Sequence, residues 1–328
     1  MSEPYQHERK VAVAAVRDAA RVCRSVQTAI APDVLKKEDR SPVTVADFGS
    51  QAIICRALAE AFPDDPIIGE EDASALSKPD NQHFLDRVRV ELQQAGLEAT
   101  GEEICRWIDR GSAKQYAERF WTLDPIDGTK GYLRGGQYAI SLAIVVCGQI
   151  DVAVLACPNL RVQPERADLL GVIFYAVRGR GSWMIPLDGE ATETPLRVSE
   201  VDETSAARFC ESVESGHSSH VLSAAVANQL EITREPLRLD SQAKYAMVAR
   251  GEAQIYMRLP VRADYTEKIW DHAGGVLIVE EAGGTITDVR GIPLDFTHGS
   301  ELVGNRGVLA TNRFLHERVL EALRKNLE

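Results

Sequence analysis

The sequence predicts an α+β protein in which layers of helices pack on mostly antiparallel sheets. Helical stretches and short apolar, β-branched runs alternate along the chain, and two pairs of these runs are joined by polar turns. The composition, 45% hydrophobic and 26% charged, is that of an ordinary globular protein. The 328 residues allow two domains at about 150 residues each.

Two helices and an insertion are predicted before the first hairpin. Residues 8–30 and 48–60 carry apolar side chains at helical spacing, and Pro63 ends the second helix. Residues 73–117 are polar on average, with helical stretches near 83–94 and 102–107. We therefore expect this insertion to form a helical flap or a mobile lid outside the core.

Two hairpins and a series of mixed elements are predicted next. The first hairpin joins 139–146 to 150–156, and the second joins 172–177 to 181–185. The later elements are helices at 219–230, 241–249, 267–282 and 313–326, and strands at 253–259, 285–289 and 308–310. We place a domain boundary after residue 160. Residues 1–160 then contain Asp47, Glu70, Asp124 and Asp127, and residues 161–328 contain Asp271.

The charge and the cysteines restrict partners and compartment. With 37 basic and 49 acidic residues the net charge is −12, which argues against a surface for polymeric nucleic acid or membrane. No apolar run approaches the roughly 20 residues of a bilayer span, and the start does not resemble a signal peptide. Six cysteines without a C-x-x-C pair predict reduced, mostly buried thiols. We expect a cytoplasmic monomer.

Acidic residues follow several apolar elements and predict a cation site. They are Asp47, Glu70-Glu71-Asp72, Asp124 with Asp127, and Asp271. Like charges raise each other's pKa and oppose folding, and Mg²⁺ bound by oxygen ligands relieves this repulsion. Pro125 favours an extended Asp124, so Asp124, Asp127 and the Ile126 carbonyl are expected to converge on one ion.

Each of these features also has a simpler interpretation. A D-x-x-D pair with a glycine is often a solvated turn, and Glu70-Glu71-Asp72 alone is typical of a charged surface. Asp47 fits a helix N-cap before Phe48, and Asp271 fits the first turn of a helix. Their joint occurrence, in this order along one chain, favours the cation site.

Three motifs closely resemble those of the inositol monophosphatase-like superfamily, whose members are magnesium-dependent, lithium-sensitive phosphomonoesterases. The motifs are Gly69-Glu70-Glu71, Asp124-Pro125-Ile126-Asp127-Gly128-Thr129 and Trp270-Asp271-His272-Ala273-Gly274-Gly275. The resemblance is sharper for the 3′(2′),5′-bisphosphate nucleotidase branch, through Ser41–Asp47, Lys130–Gly135, Leu155–Leu160, Asp240–Tyr245 and Glu267–Asp271. It implies a layered α/β/α/β/α sandwich. The Gly274-Gly275 step departs from the more usual Ala-Gly or Ala-Ala.

The resemblance also implies roles for individual residues. Two Mg²⁺ ions, with a third held more loosely, would be bound by Glu70, Asp124, the Ile126 carbonyl, Asp127 and Asp271, with Glu71 acting through a water. Asp47 and Thr129 would activate the attacking water. The substrate would be bound by Gly128, Thr129, His217, Ser241, Lys244, Arg258 and Asp271.

Several of these expected substrate-binding residues also have a purely structural interpretation. Lys244 follows Ser241 by three residues and is expected to share its helical face. Thr129 also fits a turn-stabilising hydroxyl, Arg258 a surface ion pair, and His217 a loop histidine. Between 234 and 268, seven basic side chains stand against five acidic ones, so this stretch is locally positive in an acidic chain.

The expected substrate is adenosine 3′,5′-bisphosphate (PAP), hydrolysed to AMP and phosphate, with the phosphosulfate PAPS as a second substrate. A phosphatase for inositol phosphates is the alternative within the superfamily, because the metal core is shared by sugar and nucleotide phosphatases. A catalytically silent nucleotide sensor is the alternative from another class. The complete set of acidic residues and Thr129 argues against a sensor.

Overall fold

The computed structural model describes residues 4–28, 34–36, 42–166, 168–190, 192–213, 220–259, 262 and 265–327. Its α-helices are α1 (Gln6–Thr28), α2 (Val45–Ala61), α3 (Gln82–Gln94), α4 (Gly101–Asp109), α5 (Thr129–Leu133), α6 (His220–Gln229), α7 (Ala243–Ala249), α8 (Ala273–Glu281) and α9 (His316–Leu327). Its strands begin with β1 (Val34–Lys36), β2 (Pro42–Thr44), β3 (Ile67–Gly69), β4 (Arg119–Asp127), β5 (Ala139–Val146), β6 (Gln149–Arg161) and β7 (Leu170–Val177). They continue with β8 (Gly181–Pro186), β9 (Thr194–Pro195), β10 (Phe209–Glu211), β11 (Leu237–Arg238), β12 (Ile255–Arg258), β13 (Thr285–Thr287) and β14 (Val308–Thr311).

Two sheets form the framework, and both are mixed. The larger has the order β3-β4-β5-β6-β7-β8-β9, in which only the β3–β4 pairing is parallel. The smaller has the order β11-β10-β12-β14-β13, with β10 parallel to both of its neighbours. Both predicted hairpins are confirmed as β5–β6 and β7–β8.

The alternation of side chains along the strands produces five layers. In β5, Leu142 and Ile144 join the core under α1 and α2, whereas Ala143 and Val145 join the core that contains α7 and α8. In β12, Tyr256 faces this second core, and its two neighbours face a third core with α6 and α9. The order is therefore α1–α2, large sheet, α7–α8, small sheet, α6–α9. The predicted α/β/α/β/α sandwich is confirmed.

The expectation that 73–117 lies outside the core is wrong. In α3, Phe84, Val88 and Leu92 are buried against the same core as α1 and α2, and Ile104 and Ile108 of α4 join them. These residues lie at helical spacing on one face of each helix, which the polar average of the segment concealed. The insertion is a packed helical pair, and α4 contacts α2.

The start of α8 and the proposed domain boundary also differ from the sequence prediction or cut across an element. The helix predicted to start at residue 267 begins as α8 at Ala273, after a 3₁₀ turn at Ile269–Asp271. The proposed domain division after residue 160 falls at the end of β6, and β7 continues the same sheet. The division into two domains stays a prediction. In the described ranges, none of the helices combines the length and apolarity needed to cross a bilayer.

Candidate active site

A β-bulge brings the first two aspartates together. Asp124 pairs with Ser141 of β5, and Asp127 pairs with Ala139. The paired positions are therefore three residues apart in β4 and two residues apart in β5. In a regular strand, residues three apart point to opposite faces, and one extra residue returns them to the same face. Carboxylate oxygens of Asp124, Asp127 and Asp271 accordingly lie within 4.8 Å of one another.

The turn after the bulge requires glycine. Gly128 has φ 86° and is the N-cap of α5, and a Cβ there would lie 3.1 Å from the Ser241 Cβ. The Thr129 hydroxyl donates a hydrogen bond to the Ile126 carbonyl oxygen at 3.3 Å. Thr129 thus stabilises its own turn, as one of the two interpretations predicts, at a position next to Asp127.

Glu70 reaches the same edge because β3 and β4 are parallel. Their carboxyl ends meet, and the Glu70 amide donates to the Leu123 carbonyl at 3.1 Å. The adjacent Glu71 is buried, and Gln51 of α2 fixes its main chain: the Glu71 N–H donates to Gln51 Oε1 at 3.1 Å, and Gln51 Nε2 donates to the Glu71 carbonyl. The sequence analysis missed this contact of Gln51 with the Glu71 main chain. Its only sequence signal is a polar residue within an apolar stretch of α2.

Asp47 lies in the first turn of α2, three residues after the N-cap. Thr44 is the N-cap, so the interpretation of Asp47 as the N-cap itself is wrong. The two residues form a capping box, in which Asp47 Oδ2 accepts from the Thr44 N–H at 2.7 Å and from the Thr44 hydroxyl at 2.5 Å. Asp47 is buried, and its negative charge contributes to raising the pKa of Asp124.

The carboxylates strongly perturb one another. Burial raises the pKa of Asp124 well above its usual range, and the charges of Glu70 and Asp127 raise it further. Burial, helped by the Asp271 charge, also raises the pKa of Asp127 to about 7. Nearby cations, first Lys244, act in the opposite direction on Asp127. The site therefore disfavours its own negative charge and favours a cation.

Arg258 connects Asp271 to a buried network. Its Nη2 donates to Asp271 Oδ2 at 2.9 Å, and its Nε lies 2.6 Å from Glu267 Oε2. Glu267 Oε2 also lies 3.1 Å from His272 Nε2, and His272 Nδ1 lies 2.7 Å from the Tyr245 hydroxyl. Arg258 thus forms largely buried ion pairs with Glu267 and Asp271. The alternative of a surface ion pair is wrong.

Lys244 is buried beside the same cluster. Its Nζ donates to the carbonyl oxygens of Ser241 at 2.7 Å and Leu239 at 3.3 Å. Ser241 has φ 72° and precedes α7, so the expectation that Ser241 and Lys244 share a helical face is wrong. Lys244 contacts the main-chain carbonyl of Ser241 instead. Burial lowers the pKa of Lys244, and the Asp127 charge opposes this effect. His217 lies outside the described residues.

The donor set fits a hard divalent cation such as Mg²⁺. Asp124 Oδ1 is buried and has no hydrogen-bond partner among the residues that the structure describes. An orphaned, buried carboxylate oxygen is costly, and coordination to a cation satisfies it. The converging donors of Asp124, Asp127 and Asp271 are all carboxylate oxygens, the type that Mg²⁺ prefers.

The fold and the carboxylate site together define the class of protein. The family model described as "Inositol monophosphatase family" matches residues 5–328, and the chain belongs to this family. Similar relatives are the 3′(2′),5′-bisphosphate nucleotidases of Schizosaccharomyces pombe, 44% identical over 97% of this chain and 95% of the relative, and of Emericella nidulans, 41% identical over 99% of each. The Dictyostelium discoideum relative of the same name is 38% identical over 98% of this chain and 97% of its own.

Solved structures agree on the fold. An IMPase of Thermotoga maritima has a TM-score of 0.66 at 21% identity and covers 98% of each chain. CysQ from Bacteroides thetaiotaomicron, described as a bacterial member of the inositol monophosphatase family, has a TM-score of 0.60 at 18% identity. It covers 94% of this chain and 98% of its own. At these identities the comparison supports the sandwich fold alone.

The capping box of α2 gives a prediction that separates stability from activity. Thr44→Ala should lower the free energy of unfolding by about 1 kcal/mol, the usual cost of losing an N-cap side chain. It should also lower kcat for phosphate release roughly tenfold, because Asp47, expected to activate the attacking water, loses the Thr44 hydroxyl as a donor. Urea unfolding and steady-state kinetics measure the two effects.

Thr100→Ala is the matched control. Thr100 and Glu103 form the same capping box on α4, at an exposed position. This variant should lose stability and keep the kcat of the unmodified protein. Equal effects of the two substitutions on kcat would show that the hydrogen bond from the Thr44 hydroxyl to Asp47 does not contribute to catalysis.

Proposed function

We propose that the protein is a Mg²⁺-dependent phosphomonoesterase that hydrolyses the 3′(2′)-phosphate of adenosine 3′(2′),5′-bisphosphate to give AMP and phosphate. The observation that carries this proposal is the convergence of Asp124, Asp127 and Asp271 beside two cations, the buried Lys244 and the largely buried Arg258. The relatives named as bisphosphate nucleotidases, similar over nearly their whole length, support the choice of substrate. PAPS is proposed as a second substrate.

The proposed ligands of two to three Mg²⁺ ions are Glu70, Asp124, the Ile126 carbonyl, Asp127 and Asp271, with Glu71 acting through a water. Mg²⁺, when bound, supplies positive charge to the phosphate and lowers the pKa of the attacking water. Asp47, held by Thr44, and Thr129 would orient this water toward the phosphate. Most of the rate gain then comes from positioning and charge, as in other phosphoryl transfers.

The second phosphate of the substrate distinguishes a nucleotide bisphosphate from an inositol monophosphate. Lys244 has three N–H donors, and two of them are used by the carbonyls of Ser241 and Leu239. We assign the third donor to a phosphate oxygen, with the Arg258 guanidinium as the second cation. The other proposed substrate-binding residues are Gly128, Thr129, His217, Ser241 and Asp271.

Compartment and assembly are also proposals. All six cysteines are free thiols, and Cys23, Cys55, Cys157 and Cys210 are buried, which supports a reducing, cytoplasmic compartment. We also propose that the protein is a monomer.

A substrate panel tests the proposal directly. With Mg²⁺ present, phosphate release from adenosine 3′,5′-bisphosphate should have a kcat/KM at least about 100-fold above that for inositol 1-phosphate. Such a difference corresponds to about 2.7 kcal/mol, a reasonable worth for one buried, charge-assisted phosphate contact. The reverse preference would assign the protein to inositol phosphates, and binding of the nucleotide without turnover would make it a sensor.

Replacing the buried lysine tests the role of the second phosphate. Lys244→Met keeps most of the side-chain volume and removes the charge, so KM for adenosine 3′,5′-bisphosphate should rise at least about tenfold. The kcat/KM for a nucleoside 3′-monophosphate should change much less. Lys325→Met, at an exposed ion pair in α9, is the control and should leave both substrates unaffected. Equal losses on both substrates in Lys244→Met would contradict the specificity role.

A further inference from the structure

The side chain of Gln242 is bonded at both ends to the main chain of another segment. Gln242 is 2% exposed and precedes α7. Its Oε1 accepts from the Gly275 N–H and from the Ser141 hydroxyl, both at 3.2 Å, and its Nε2 donates to the Trp270 carbonyl at 2.8 Å. An N–H only donates and a carbonyl only accepts, so these main-chain partners fix the orientation of the amide.

Two of these contacts lie next to proposed metal ligands. Ser141 is the partner of Asp124 across the β4–β5 ladder, and Trp270 directly precedes Asp271. The Gln242 main-chain N–H itself donates to Asp127 Oδ2 at 2.5 Å. One residue therefore contacts Asp127 and the immediate neighbours of the other two carboxylates, although the three come from two distant segments of the chain.

The glycine pair of α8 makes this arrangement possible. A Cβ on Gly274 would overlap the Ser141 hydroxyl, and a Cβ on Gly275 would overlap the Tyr245 ring. The Gly275 N–H belongs to the first turn of α8, where helix donors have no partner within the helix. Gln242 supplies that partner from another segment. The Gly274-Gly275 step thus has a structural reason in this chain.

We propose that Gln242 is a positioning residue that sets the spacing of Asp124, Asp127 and Asp271 and thereby the affinity for Mg²⁺. The proposal rests on the metal site of the proposed function. Ligand-supporting contacts of this kind restrict the first coordination shell, and their loss typically weakens metal binding by roughly 10- to 100-fold.

The test uses a matched pair of glutamine substitutions in the full-length protein. Gln242→Met removes the amide at nearly constant volume and leaves the Gly275 N–H, the Trp270 carbonyl and the Ser141 hydroxyl without this partner. Gln254→Met is the control, because Gln254 is 3% exposed and also bridges one main-chain N–H, of Arg208, and one carbonyl, of Gly251. Both variants should show similarly lowered melting temperatures.

Calorimetric titration with Mg²⁺ alone, without substrate, gives the decisive readout. Gln242→Met should raise the Kd for Mg²⁺ by roughly 10- to 100-fold, whereas Gln254→Met should leave it within about twofold of the unmodified protein. A Kd for Gln242→Met that matches that of Gln254→Met would overturn the positioning role while the proposed function stands. Absence of Mg²⁺ binding by the unmodified protein would overturn both.

A milder pair covers the case in which Gln242→Met does not fold. Ser141→Ala removes one donor to Gln242 Oε1 and should raise the Kd for Mg²⁺ roughly two- to tenfold, the effect of one hydrogen bond. Ser182→Ala is its control, because Ser182 is equally buried and its hydroxyl has no hydrogen-bond partner among the described residues. Equal Kd values for the two serine variants would contradict the proposal.

Discussion

Asp124, Asp127 and Asp271 hold carboxylate oxygens within 4.8 Å of one another, and their repulsion is the constraint on which the rest of the site depends. Burial makes this repulsion stronger, because less water screens the charges. Such a cluster opposes folding unless positive charge is placed against it. The protein supplies part of this charge from Arg258 and Lys244. Asp124 Oδ1 has no hydrogen-bond partner in the part of the chain that the structure describes, which indicates that a cation supplies the remainder.

The positive groups are held in place by contacts that reach deep into the middle layer. Arg258 is shared between Asp271 and Glu267, and Glu267 is in turn bonded to His272. The network ends at the Tyr245 hydroxyl, whose ring packs against α8 at Gly275. The helices between the two sheets therefore fix the charges of the site as well as the hydrophobic core. In this way the fold and the chemistry depend on the same residues.

The sequence predicted the layered fold and the acidic cluster well, because both rest on local patterns. Alternating apolar runs identify the hairpins, and the carboxylates stand next to proline and glycine at element ends. The convergence of Asp124 and Asp127 was predicted from Pro125, but its physical basis is the bulge against β5. A bulge is a property of two paired strands, so one strand's sequence does not reveal it.

The missed features depend on contacts between distant segments. The side chains of Gln51 and Gln242 bond to main-chain groups of other elements, and a main-chain partner leaves no mark in the sequence. The buried face of the 73–117 insertion was missed for a different reason, since the mean polarity of a segment conceals a narrow apolar stripe. The helical relation expected between Ser241 and Lys244 failed because Ser241 adopts a left-handed conformation before α7 begins.

A bound cation offsets the carboxylate repulsion that this fold contains. Thermal unfolding of the unmodified protein and of Asp124→Asn, each in EDTA and in Mg²⁺, measures this balance. In EDTA, Asp124→Asn should melt at a higher temperature than the unmodified protein, because one buried like charge is gone. Mg²⁺ should raise the melting temperature of the unmodified protein and have little effect on the variant. A less stable variant in EDTA, or equal stabilisation of both proteins by Mg²⁺, would show that carboxylate repulsion and cation binding are not coupled at Asp124.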